Sequence, residues 1–275
     1  MKSWNRDNHR RPDLFSVITM MIALLVILFI GSAVSAVIIS GLPSFLETIR
    51  SAEVFAAFRL SFATASISTV IVMSLALPTA YALTRTDMPL KRLSGLLIEL
   101  TLSLPYILLG LSLLIMFSSP AGKWLKGHGF KVVFSPAGIV MAHILVNLPY
   151  AVRLIRTAFE ASDQRLEFIA QTLGASPFRC FLTILLPLCR GSLISTFILT
   201  WSRALGEFGA TLMLVGVTRF KTETLPGSIY LSISTGNNSA AMATAMLMLL
   251  ISGVTLFLAQ FLGRPSYGRE RRGGR

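Results

Sequence analysis

Residues 14–46 contain no charged side chain, and this one feature decides most of what the chain can fold into. A helix crossing the roughly 30 Å hydrocarbon core of a bilayer needs about 20 apolar residues, so a run of this length is a membrane span with residues to spare. The basic segment ahead of it looks like the start of a secretory signal, but the apolar core of such a signal holds only about 7 to 15 residues. The run is therefore read as retained. Five further apolar runs follow, and the candidate spans are 16–40, 60–83, 93–117, 134–152, 191–215 and 240–262. Backbone polar groups in hydrocarbon must be bonded within their own segment. The expected fold class is an all-α membrane protein with six transmembrane helices over residues 16–262, flanked by an N-terminal tail, 1–15, and a basic C-terminal tail, 263–275.

Composition agrees with this and narrows the partners. Of the 275 residues 53% are hydrophobic and 13% charged, an apolar share above and a charged share below those of soluble domains. The formal net charge is +13, yet the cations fall in short runs between apolar spans and not on one amphipathic face. That pattern excludes nucleic acid as a partner and points to membrane lipid and topology. Lys and Arg concentrate in the N-terminal tail, in the second and fourth inter-span segments (Arg85, Lys91 and Arg92; Arg153, Arg156, Arg165, Arg179 and Arg190) and in the C-terminal tail. Those segments are assigned to the cytoplasm, with both termini, as in the inner membrane of a prokaryote.

The fourth segment, about 153–190, breaks the apolar pattern with a polar, helix-patterned stretch, EFIAQTLGASPFRCFLTILLP over residues 167–187. Ser162 and Asp163 supply an N-cap and an acid for a first turn. Leu166, Ile169, Ala170 and Leu173 then recur at helical spacing, with Arg165, Glu167 and Gln171 away from that apolar face. Gly174 ends the helix by accepting a left-handed turn, Ser176-Pro177 opens a second helix, and Pro187 is expected to break it ahead of the fifth span. The spacing predicts a helix-turn-helix with a corner at Gly174. An interfacial helix lying on lipid is the plainer alternative, but its polar face is usually rich in Lys and Arg. Docking in a groove of another protein fits this face better.

The spacing Ala170, Gly174, Ile184-x-Leu186-Pro187 resembles the cytoplasmic EAA loop of inward-pumping ABC transporter permeases. Where that family usually carries Glu-Ala-Ala, this chain has Phe168-Ile169-Ala170, with an acid only at Glu167. The resemblance implies a type I ABC importer permease fold in which Glu167, Ala170, Gly174, Ile184, Leu186 and Pro187 belong to the coupling loop that rests on an ATPase. A second run, Arg203 to Leu214 (RALGEFGATLML) followed by Thr224-Leu225-Pro226 and Tyr230, is similar to permease subunits for molybdate and tungstate and more loosely to those for sulfate. With Asn147-Leu148-Pro149, the likeness extends over about 58–262. It implies a homodimer around a central path for an oxyanion, two ATP-binding cassette subunits inside and an oxyanion-binding protein outside. It also implies that this chain binds no cofactor, ATP being used by the partner subunit.

The remaining polar groups are weighed on their own. Arg203 and Glu207 are four apart, so they share a helix face and can pair. Intramembrane charges ordinarily face protein or water, so the pair is either a pathway or gate, with Gly206, Phe208, Gly209 and Thr211 beside it, or a helix-helix brace. Gly206, Gly209 and Gly216 suit close packing or a hinge. Glu99 in the third span is read as packed, protonated or interfacial. The cysteines, Cys180 and Cys189, and the scattered histidines, His9, His128 and His143, have no metal-ligand spacing. No phosphate-binding loop and no catalytic grouping is visible, so the chain is not expected to be an enzyme by itself. A gradient-driven carrier would ordinarily show inverted repeats, and no internal repeat is evident.

Overall fold

The computed structural model describes residues 13–262. The N-terminal tail before residue 13 and the C-terminal tail from 263 lie outside the described residues. The chain forms α1 (Leu14–Gly41), a 3-10 turn (Leu42–Ser44), α2 (Phe45–Arg50) and α3 (Ala52–Arg85), followed by α4 (Lys91–Ser103), α5 (Tyr106–Ser118), α6 (Pro120–Gly127) and α7 (Pro136–Glu160). Then come α8 (Gln164–Thr172), α9 (Pro177–Cys180), a π-helical turn (Phe181–Leu185), α10 (Leu186–Leu205), α11 (Gly209–Val215), α12 (Leu225–Ser234) and α13 (Asn238–Leu262). No strand occurs among the described residues.

Five helices are long and apolar enough to cross a membrane, and the pair Lys91–Ser103 and Tyr106–Ser118 makes a sixth span if taken together. The expected third span is thus formed of two halves bent by 112°. The cause is Pro105: proline has no N–H for the helical ladder and drives Leu104 into an extended conformation (ψ 140). The expected fifth span is also interrupted. Its helix stops at Leu205, residues 206–208 are non-helical, and α11 starts afresh at Gly209.

The centre of the bundle is α7 against α3. More than half of the apolar window of α7 is buried (56%), against none of that of α1. Small residues make the approach close: Ala76 and Ala80 of α3 and Ala151 of α7 share one cluster and are all 0% exposed. Lipid tails are as apolar as leucine, so association in the bilayer rests on such contact and on polar bonds between helices. Two of the buried clusters among the described residues are large. Val72, Leu83, Ile155, Phe159 and Leu185 pack at the end of the bundle that carries α8. Leu109, Leu113, Ile139, Val146 and Leu214 join α5, α7 and α11. At Gly110 a side chain is impossible, because a Cβ would stand 2.5 Å from the Ala210 carbonyl oxygen. α1 packs on the outside, with Gly41 tight against Met242 at the start of α13. α13 runs back from there past Ser202 and Ser195, bonded through Thr255 and the Ala259 carbonyl, toward the end where α8 sits.

Candidate functional site

At the end of the bundle marked by Arg85, the expected helix-turn-helix is present. The Asp163 carboxylate accepts from the Arg165 N–H (3.0 Å) and caps α8. The helix closes in a Schellman arrangement: Gly174 N–H bonds to Gln171 O (3.0 Å), Ala175 N–H to Ala170 O (3.0 Å), and Gly174 has φ +92. Ser176 then accepts from the Arg179 N–H and Pro177 begins α9. Pro187, however, does not break the second helix. The chain passes from α9 through the π turn into α10, with the Leu186 N–H reaching the Phe181 carbonyl. The wider turn absorbs the proline at the start of α10, where a missing N–H costs little. Of the spacing motif, Ile184 and Leu186 are half-buried and Pro187 exposed, while Leu185 between them is the core residue at 0% exposure.

The apolar face of α8 is turned outward. Leu166, Ile169 and Leu173 are exposed, Leu173 by 84%, as are Phe168 and Phe178, and Ala170 is half-buried. Five large apolar side chains project around this one corner, a surface suited to contact with another protein or with the membrane interface. Glu167 points the other way. It is buried, and its Oε1 accepts from Arg85 Nε at 3.0 Å, both side chains being 8% exposed. Arg85 Nη2 donates to the Phe159 carbonyl (2.8 Å) and to Ser162 Oγ (2.8 Å). One guanidinium thus ties the end of α3 to the end of α7 and to α8. Glu167 thus lies on the buried side of α8, whereas Phe168 is on its exposed side. Sequence reading places Arg85 only as a topological charge, since nothing in the chain announces a partner so far along it.

The second candidate group lies where the two interrupted spans meet. Arg203 and Glu207 do not pair, which corrects the expectation from their spacing. Helix α10 ends before Glu207, and the Glu207 carboxylate turns to cap α11, accepting from Ala210 N–H (2.8 Å), Thr211 N–H (3.1 Å) and the Thr211 hydroxyl. Glu207 and Thr211 are buried. Arg203 donates through Nη2 to the Tyr106 hydroxyl, and its guanidinium carbon lies 5.3 Å from the Tyr106 ring centroid and 4.7 Å from that of Tyr150. Gly209 is packed on Tyr106, a Cβ there meeting Tyr106 Cβ at 3.3 Å. Gly206 is exposed with no close neighbour, so it serves neither tight packing nor a left-handed turn (φ −88). Gly216 does adopt positive φ, +66. Phe208 stacks obliquely on Tyr230 at 5.5 Å. Glu99 is exposed on α4, so of the packed, protonated and interfacial alternatives the packed one is removed.

An α-helical bundle with broken spans and a capped helix-turn-helix seated at one end defines the class: a multi-span α-helical membrane protein. Residues 75–265 match the family described as binding-protein-dependent transport system inner membrane component, and the chain belongs to it. It is similar to the molybdenum transport system permease protein ModB of Mycobacterium tuberculosis, 35% identical over 216 residues covering 78% of this chain and 81% of the relative. ModB of Escherichia coli K12 is 36% identical over 198 residues, 70% and 86% of the two chains. The sulfate transport system permease protein CysT of the same organism is 30% identical over 226 residues, 82% and 81%. Among solved structures, a bacterial ABC transporter that imports the acidic polysaccharide alginate shares the fold with a TM-score of 0.72 at 14% identity, covering 92% of this chain and 96% of that one. The MetNI methionine ABC transporter does so with a TM-score of 0.62 at 14% identity, covering 77% and 95%.

Proposed function

We propose that this chain is the permease subunit of an ATP-driven importer for an oxyanion, molybdate or tungstate before sulfate. The observation that carries the reading is the likeness to ModB over most of the chain, together with a capped corner that shows apolar side chains at one end of the bundle. In this reading two copies surround a central path. Two ATP-binding cassette subunits receive Leu166, Phe168, Ile169, Leu173 and Phe178 in their grooves, with Ala170, Gly174, Ile184, Leu186 and Pro187 shaping the loop and Glu167 fixing it to Arg85. An oxyanion-binding protein delivers substrate from outside, and ATP is hydrolysed on the partner subunit, this chain holding no nucleotide. The families of the relatives and the periplasmic protein bound to the alginate transporter support these partners. In this reading both termini are cytoplasmic, which the distribution of Lys and Arg supports. Selectivity resides mainly in the binding protein. Its affinities for molybdate, tungstate and sulfate, measured by calorimetry, test the substrate: tight binding of the first two and weak binding of sulfate is expected, and the reverse order overturns the assignment in favour of sulfate.

A further inference from the structure

Two interruptions of membrane-spanning helices lie side by side. One is the bend at Leu104-Pro105 between α4 and α5, the other the non-helical segment 206–208 between α10 and α11, and they touch where Gly209 meets Tyr106. Non-helical backbone at membrane depth is tolerated only where it is buried in protein or lines water, yet Pro105 and Gly206 are exposed on this chain. Tyr150, near the middle of α7, places the junction well inside the bilayer. The exposed side of the junction therefore faces water or another protein chain, not lipid.

Arg203 stands at that junction without a carboxylate. The ion pairs among the described residues are Arg85–Glu167, Arg156–Glu160 and Arg219–Glu53, and Glu207 spends its oxygens on α11. The guanidinium is held instead between two tyrosine rings, one of whose hydroxyls accepts from it. Aromatic faces stabilise the cation without neutralising it, so the full positive charge stays available. A cation kept this way in a membrane span is costly and ordinarily functional. We infer that Arg203, framed by Tyr106 and Tyr150, is a contact point for the oxyanion during its passage. Guanidinium N–H groups and a phenolic O–H are donors, matched to a multi-oxygen anion. A carboxylate partner would have cancelled that attraction. The inference rests on the reading of the chain as an oxyanion permease.

Two measurements test it. In the reconstituted complex with its binding protein, Arg203→Gln is expected to lower molybdate uptake roughly tenfold or more, the scale of a lost charge-assisted hydrogen bond, with the assembled complex melting as the native one does. Arg203→Lys keeps the charge and is expected to keep most of the uptake. Equal loss in both variants would assign Arg203 to ring packing alone and overturn the inference, as would full uptake by Arg203→Gln. The second measurement does not depend on transport. Gly206→Cys is introduced where the two buried thiols, Cys180 and Cys189, are replaced, and is labelled with anionic 2-sulfonatoethyl methanethiosulfonate and with an uncharged methanethiosulfonate. Labelling by both, with only the anionic rate falling several-fold on adding Arg203→Gln, is expected. No labelling, or rates indifferent to Arg203, overturns it. A native complex that takes up no oxyanion would refute the functional reading itself, and this inference with it.

Discussion

Arg85 and Glu167 are each 8% exposed at the side chain, so the two charges depend on one another. Removing one partner of a buried pair costs about 3–5 kcal/mol because the other is left without compensation, whereas replacing both by apolar residues is far milder. Glu167→Gln is therefore expected to lower the melting temperature of the detergent-solubilised protein more than Arg85→Met with Glu167→Leu does; equal losses would mean the pair is not coupled. Glu223, in the loop before α12, poses the opposite case. It is 3% exposed and its Oε2 has no hydrogen-bond partner. Burial, the largest influence, pushes its carboxyl above the usual range; Glu53 adds to the rise, while the Ser228 hydroxyl and Arg219 oppose it. A raised carboxyl favours the protonated form in the fold. Its contribution to stability is thus present at low pH and lost as pH rises through the folded-state value. Glu223→Gln should melt at the same temperature as the native chain or higher at pH 7, and should flatten the fall in melting temperature that accompanies rising pH above the ordinary carboxyl range. A lower melting temperature at pH 7 would show that the ionised carboxylate is needed.

The corner between α8 and α9 is legible from residues 162–177 because every signal there is local: an acid cap, a 3.6-residue apolar stripe, a glycine and a Ser-Pro start act within a few residues of themselves. Pro187 misleads for the same reason. A proline announces a lost hydrogen bond, but whether the chain breaks or takes a π turn depends on Leu185 being held in the core. The pairing of Arg203 with Glu207 fails because periodicity assumes a continuous helix, and Gly206 ends this one. Tyr106 and Tyr150, the residues that do hold Arg203, come from other helices and leave no trace in local spacing. The corner itself yields a prediction. Gly174 has φ +92, and a Cβ added there would have nothing within 4 Å, so Gly174→Val introduces backbone strain and no collision at that atom. At about 1–3 kcal/mol, the strain should leave membrane insertion intact, lower uptake and abolish the substrate stimulation of ATP hydrolysis in the complex. Unchanged stimulation would show that α8 does not couple the two.

For the whole molecule, the number of apolar crossings is readable because hydrocarbon imposes one length on every span. The bend between α4 and α5 is not, since a single Pro105 in an apolar run is compatible with a kinked span as well as a broken one. The orientation proposed from charge placement can be checked in a chain lacking Cys180 and Cys189. A cysteine placed at Lys126 should react with an impermeant reagent in intact cells, and one at Asp87 only after permeabilisation; the reverse pattern would invert the assignment. The central claim is that transport by this chain is driven by a partner ATPase and fed by a binding protein. The most direct measurement is molybdate accumulation in vesicles containing the assembled complex, with ATP and the substrate-loaded binding protein added separately and together. Accumulation that requires both, and that persists when ion gradients are collapsed, is the predicted result. Accumulation without ATP that follows an imposed ion gradient would contradict it.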